Sequence, residues 1–160
     1  MTNLDFGFSQ VTADKVSEGM DEALEGAQKV LEALVAPKET RTFENTMLPL
    51  DQIADLLSRA NATYAFMGYV HPEKEVRSQA KAAEEKLETF GVEMVFRDDL
   101  NAAIKEYAAT DEAEGLEGEK ARLVEFTLRD LRHAGHELSP EARARVKERT
   151  QRLVELGVRF

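Results

Sequence analysis

Three histidines are the side chains best suited to metal or acid–base chemistry in this 160-residue sequence. His133 and His136 stand three apart, a spacing that can bring two imidazoles onto one helical face, but Gly135 between them is a helix-ending residue and no third ligand is identifiable. His136-Glu137 opens like the zinc-peptidase motif H-E-x-x-H, in which both histidines hold metal and the glutamate activates water; Pro140 stands where the second histidine belongs. The E-x-x-H pairs of four-helix di-iron proteins are missing too, since Gly68, Asp130 and His133 lie three residues before the histidines. His71, next to Pro72, reads as a helix-border residue. Cysteine is absent, no G-x-S-x-G occurs, and Ser9, Ser17, Ser58, Ser78 and Ser139 have no base assigned to them. Glu84-Glu85 and Asp98-Asp99 are carboxylate pairs of the kind found on helix surfaces and near helix starts. Arg143, Arg145, Lys147, Arg149 and Arg152 read as a solvated helix face paired with Glu141, Glu148 and Glu155 rather than as an anion site. The sequence therefore assigns no catalytic residue, no cofactor-binding residue and no metal ligand.

The elements that would position these groups all carry helical periodicity. Thr12 is an N-cap before a stripe of Val16, Met20, Leu24, Ala27, Leu31 and Leu34, which should stop at Pro37. Thr42 or Thr46 caps the next helix, with Pro49 in its first turn, Leu50, Ile53, Leu57, Tyr64 and Met67 buried, and an end near Gly68. Asn45 and Thr46 are read as satisfying free amides at that start. Phe66, Tyr69 and Val70 are expected to cover the turn into a central helix opening at Pro72, whose stripe is Val76, Ala80, Ala83, Leu87 and Phe90. A kink or short break is expected at Gly91, with Val92, Val95, Leu100, Ala103 and Tyr107 continuing the stripe. Thr110 to Gly118 reads as a loop. Ala121, Val124, Leu128 and Leu131 mark a helix closed by Gly135, and Ser139-Pro140-Glu141 starts the last one, with Val146, Leu153 and Leu156 turned to the core. The fold class is all-α: an antiparallel bundle of five to six helices with no sheet, in one helical domain over residues 1–160.

Three blocks in this sequence carry a resemblance. V-x-P-x-x-x-V-R from Val70 to Arg77 leads through A-x-x-A-E-x-K-L-x-x-F from Ala80 to Phe90 into V-E-M-x-x-R-x-D-L from Val92 to Leu100. Thr42-Phe43-Glu44-Asn45-Thr46 precedes Pro49-Leu50, and Leu128-Arg129-Asp130-Leu131-Arg132-His133-Ala134-Gly135 follows. In this order they resemble the N-terminal helical region of the thimet oligopeptidase, neurolysin and oligopeptidase A family of zinc peptidases. The resemblance implies a non-catalytic helical domain forming one wall of the substrate channel in a zinc-dependent oligopeptidase, with short peptides as ligands of the full-length parent. Zinc and H-E-x-x-H belong to a larger C-terminal portion, expected to be absent from this chain, which alone should not be an enzyme. The alternative is a stand-alone helical interaction module that binds a partner or self-associates through the face that the missing catalytic portion would cover.

Composition narrows the partners. With 31 acidic and 21 basic side chains the formal charge is −10, the wrong sign for displacing counterions from nucleic acid. The longest nearly apolar stretch, Ala65 to Val70, is too short to span a bilayer. MTNLDFGFSQ has neither the basic region nor the apolar run of a secretory signal, and the lack of cysteine suits a reducing compartment, so a cytoplasmic location is expected.

Overall fold

The computed structural model describes residues 10–159, with side chains to Gly157. Among the described residues there are helices and no strand, the all-α class expected from periodicity. Helix α1 spans Ala13–Val35. Helix α2 is a composite run over residues 43–70, in which π-helical turns at Phe43–Met47 and Asn61–Ala65 alternate with α-helical Leu48–Ala60 and Met67–Val70. Helices α3 (Lys74–Val95), α4 (Asp98–Ala108), α5 (Gly118–His133) and α6 (Pro140–Arg159) follow, with an isolated turn at Asp111–Glu114.

Capping chemistry explains most boundaries. The Thr12 hydroxyl accepts from Lys15 N, and Thr42 and Asn45 form a reciprocal capping box that settles which threonine starts α2. Ser139 Oγ accepts from Ala142 N at the head of α6, and Gly135 takes a φ of 92° just beyond α5.

Short connections reverse the chain, so α2 runs antiparallel to α1 and α3 runs antiparallel to α2. One apolar cluster gathers Leu31 and Leu34 from α1, Phe43, Met47 and Ile53 from α2, Leu100, Ile104 and Tyr107 from α4, and Leu131 from α5. A second, at the other end, gathers Val16 and Met20 from α1, Ala60, Ala65 and Met67 from α2, and Val76, Ala80 and Ala83 from α3.

Several expectations need correction. Helix α3 passes straight through Gly91 and ends at Val95, so Val92 and Val95 belong to it; the break comes at Arg97, whose ψ of 127° is extended. A helical glycine costs only about 1 kcal/mol, and Phe90 and Met94 packed on the first cluster hold the turns around it. Pro49 is in the first turn of the Leu48–Ala60 segment but not of α2. The π turn before it bonds Leu48 N to Phe43 O, a five-residue step that spares the ring the clash an α-helical carbonyl would make. Helix α2 also continues beyond Gly68 to Val70, because this buried glycine lets Ala80 and Lys81 of α3 come close. Phe66, Tyr69 and Val70 consequently stand exposed instead of covering the turn; Pro72 lies before α3, whose N-cap position is Glu73. The stretch from Thr110 to Gly118 includes the Asp111–Glu114 turn, capped by the Thr110 hydroxyl.

The last correction concerns α6, which runs antiparallel along α3. Val146, Thr150 and Val154 are partly buried, whereas Leu153 is 69 % exposed and Leu156 also faces outward. Its rotation is fixed at its first turns, where Arg143 grips Asp98 through two bonds of 2.5 and 2.8 Å. Val154, Val158 and Phe160, beside the main stripe, make the last helix the candidate in the sequence for an exposed apolar patch; Val158 and Phe160 lie outside the described side chains.

Arg41 is a buried arginine with all three guanidinium nitrogens engaged. Only 4 % exposed, it donates from Nη1 to Leu34 O at 2.6 Å, from Nη2 to Ala36 O at 3.2 Å and from Nε to Glu106 Oε2 at 2.9 Å. The guanidinium thereby satisfies carbonyls left free at the end of α1 and ties them to α4. Beside it the Phe43 amide donates to both carboxylate oxygens of Glu112, and the Phe43 ring meets Tyr107 edge-on. Burial pushes the Tyr107 hydroxyl above its ordinary pKa, with the Glu112 charge adding to the effect.

Three stability predictions follow from these contacts. Arg41→Lys keeps the charge but loses the fork, and urea denaturation should show a loss of about 2 kcal/mol or more. A Cβ on Gly19 would come within 2.2 Å of the Tyr64 ring, whereas one on Gly91 meets nothing within 4 Å. Thermal unfolding should therefore show Gly19→Ala destabilising by about 1–3 kcal/mol and Gly91→Ala stabilising by about 0.5–1 kcal/mol. Finally, Arg97 donates to both Asp99 and Glu32, holding both carboxyls below their ordinary pKa. A carboxyl depressed in the folded state adds stability above its unfolded pKa of about 4, and that stability is lost as pH falls through the folded value. The melting-point gap between wild type and Asp99→Asn should thus be widest near neutrality and close in acid.

Candidate functional site

Several of the residues that sequence singles out for chemistry, among them His136, Ser139, Asp98 and Asp99, are spent on holding helices. His136 is buried as a side chain, with Nε2 donating to Val95 O at 2.8 Å and Nδ1 left to accept from Arg143 Nη1 at 3.3 Å. Both ring nitrogens are thus engaged between the end of α3 and the first turns of α6. His133 is exposed in the last turn of α5. His71 is 6 % exposed in the α2–α3 connection; its Nδ1 accepts from Glu73 N, its carbonyl accepts from Arg77, and its Nε2 has no hydrogen-bond partner. Helix ends therefore keep the three apart in role, and among the described residues no three His, Asp or Glu side chains gather as metal ligands. These residues do not fit the zinc that the resemblance attaches to its parent family.

The other candidates are also occupied or isolated. Ser139 caps α6, Ser58 and Ser78 are exposed, and Ser9 lies outside the described residues. Asp98 and Asp99 start α4 and are held by Arg143 and Arg97. Glu84 accepts from the Tyr69 hydroxyl at 2.7 Å, which pushes that phenol above its ordinary pKa. Of the basic cluster, Arg143 is engaged with Asp98 and Arg152 with Glu155, while Arg145 and Arg149 are exposed.

Among the described residues, two apolar surfaces bear on function. One is an apolar groove of about 280 Å³ where α2, α3, α4 and α5 converge, floored by Leu50, Met94, Leu100, Ile104, Leu123 and Leu131. Exposed Asp51 and Asp130 stand at its rim, and the Thr127 hydroxyl there is already committed to Leu123 O. The other is the outer side of α6, where Leu153 and Leu156 lie among arginines. Sequence reasoning missed the groove; it expected an apolar patch on the last helix, but beside Val154 and not at Leu153 and Leu156. The groove residues sit on stripes that read as ordinary core, and nothing in a stripe tells whether neighbouring stripes close on one another. Among the described residues no helix is long and apolar enough to cross a membrane.

No family model matches the chain. Curated proteins do. A thimet-like oligopeptidase of Dictyostelium discoideum is 25% identical over 153 residues, covering 93% of this chain and 23% of its own length. Oligopeptidase A of Escherichia coli is 25% identical over 153 residues, covering 96% and 22% respectively. A dipeptidyl carboxypeptidase of Salmonella typhimurium is 28% identical over 127 residues, covering 79% and 19%. The chain thus spans about a fifth of the length of the curated relatives it matches. It is similar, along most of its length, to a segment of the oligopeptidases that its sequence blocks resemble.

Proposed function

We propose that residues 1–160 form one helical domain serving as a non-catalytic wall of the substrate channel in a zinc-dependent oligopeptidase that hydrolyses short peptides. The observation that supports this most is the span of the similarity, which takes in nearly all of this chain and only a fifth of each peptidase. The fold adds a physical reason. The resembling blocks are structural devices here: Thr42 to Thr46 build the capped π turn that starts α2, and Leu128 to Gly135 end α5. A wall needs rigid helices and no reacting group, and His136, Ser139, Asp98 and Asp99 are engaged at helix junctions.

Zinc, the peptide substrate and the hydrolytic step all belong, in this reading, to the remainder of a parent protein, and its location would be the cytoplasm. The purified chain should hydrolyse no quenched-fluorescent peptide and should retain no stoichiometric zinc after dialysis. Reading the gene past the codon for Phe160 should reveal a continuing frame that encodes H-E-x-x-H. A stop codon at that point, or one tightly held zinc per chain, would sink the proposal.

A further inference from the structure

We propose that the groove between α2, α4 and α5 receives the outer face of α6 from a second copy of this chain. The contact requires no catalytic portion, so it stands or falls separately from the channel-wall reading. At about 100° per residue, Arg145, Arg149, Leu153 and Leu156 share about 80° of the α6 circumference. All four are exposed, and the structure gives neither arginine an ion pair among the described residues. A helix face that mixes leucines with unengaged arginines buries well only against an apolar surface edged with carboxylates.

The same molecule carries such a surface. The groove, about 280 Å³ in volume, has an apolar floor and two aspartates at its rim. It lies below the roughly 300–1,000 Å³ typical of small-molecule sites, a size for one or two aliphatic side chains. Asp51 is exposed with no ion pair among the described residues; Asp130 is shared with Arg129 at 2.8 Å. Leu153 and Leu156 would enter the groove while Arg149 meets Asp51, and both surfaces are self-supplied by any two copies. With a charge of −10 on each copy, long-range repulsion opposes the encounter, so the contact is weak and appears at high concentration.

Sedimentation equilibrium of the full chain over a wide concentration series tests this. The weight-average mass should rise above the monomer value. Leu153→Glu, Arg149→Glu and Asp51→Lys, each at an exposed position and each checked for an unchanged circular dichroism spectrum, should weaken association about tenfold or more. An equimolar mixture of the Arg149→Glu and Asp51→Lys chains should recover it, because the two reversed charges then face each other. A chain that stays monomeric throughout, association indifferent to these substitutions, or a mixture no stronger than its components would each overturn the inference.

Discussion

The packing of this bundle depends on where the Arg41 guanidinium goes. A buried cation is costly unless each donor finds an acceptor, and here the acceptors are the carbonyls that the last turn of α1 leaves free and one carboxylate oxygen of Glu106. That arrangement fixes the angle at which the chain leaves α1, and so places Thr42 and Phe43 to begin α2 against α4. Glu112 then secures the Phe43 amide from the short turn after α4. Polar geometry thus specifies this end of the molecule, where chain segments far apart in sequence must meet. The opposite end is specified by size, with Gly19 against Tyr64, and Gly68 against Ala80, allowing α1, α2 and α3 to approach closely.

Local chemistry made the helix starts legible in the sequence. Thr12, Thr42 and Ser139 cap because a hydroxyl three residues before a free amide needs nothing else, and Gly135 ends α5 because a positive φ suits glycine. Rotation and continuity were less legible. Gly91 looks like a break, yet packing on both sides outweighs its propensity. Leu153 and Leu156 fit a helical stripe, but Arg143 and Asp98 turn a neighbouring strip of α6 toward α3. Arg41 was invisible as a keystone, since one arginine in a polar connection has no periodic partner to reveal its burial.

The candidate site followed the same division. Sequence could show that His136 lacks its H-E-x-x-H partner, but not that Val95 and Arg143 would take both of its nitrogens. It could not show the groove either, because a cavity is a failure of several stripes to meet, a relation among four helices at once. What the sequence held most plainly was the likeness to oligopeptidases, and this rests on residues that start, cap and close helices and on the buried stripe of α3. Such residues constrain a shape more tightly than they constrain a reaction.

The two π turns of α2 have a consequence for how this helix tolerates change in length. Each adds a residue to an otherwise α-helical turn, rotating everything beyond it by about 100°. The turn at Asn61–Ala65 stands between Ile53, which faces the first apolar cluster, and Met67, which faces the second. Ala60, ahead of the turn, already faces the second cluster, and Ala65 and Met67 face it from within and beyond the turn, so the turn sets how the last part of α2 meets that core. Deleting one residue there would leave an acceptable α-helix whose Met67 and Gly68 no longer point at α3, so insertions and deletions, more than substitutions, are what this part of the chain is least free to accumulate.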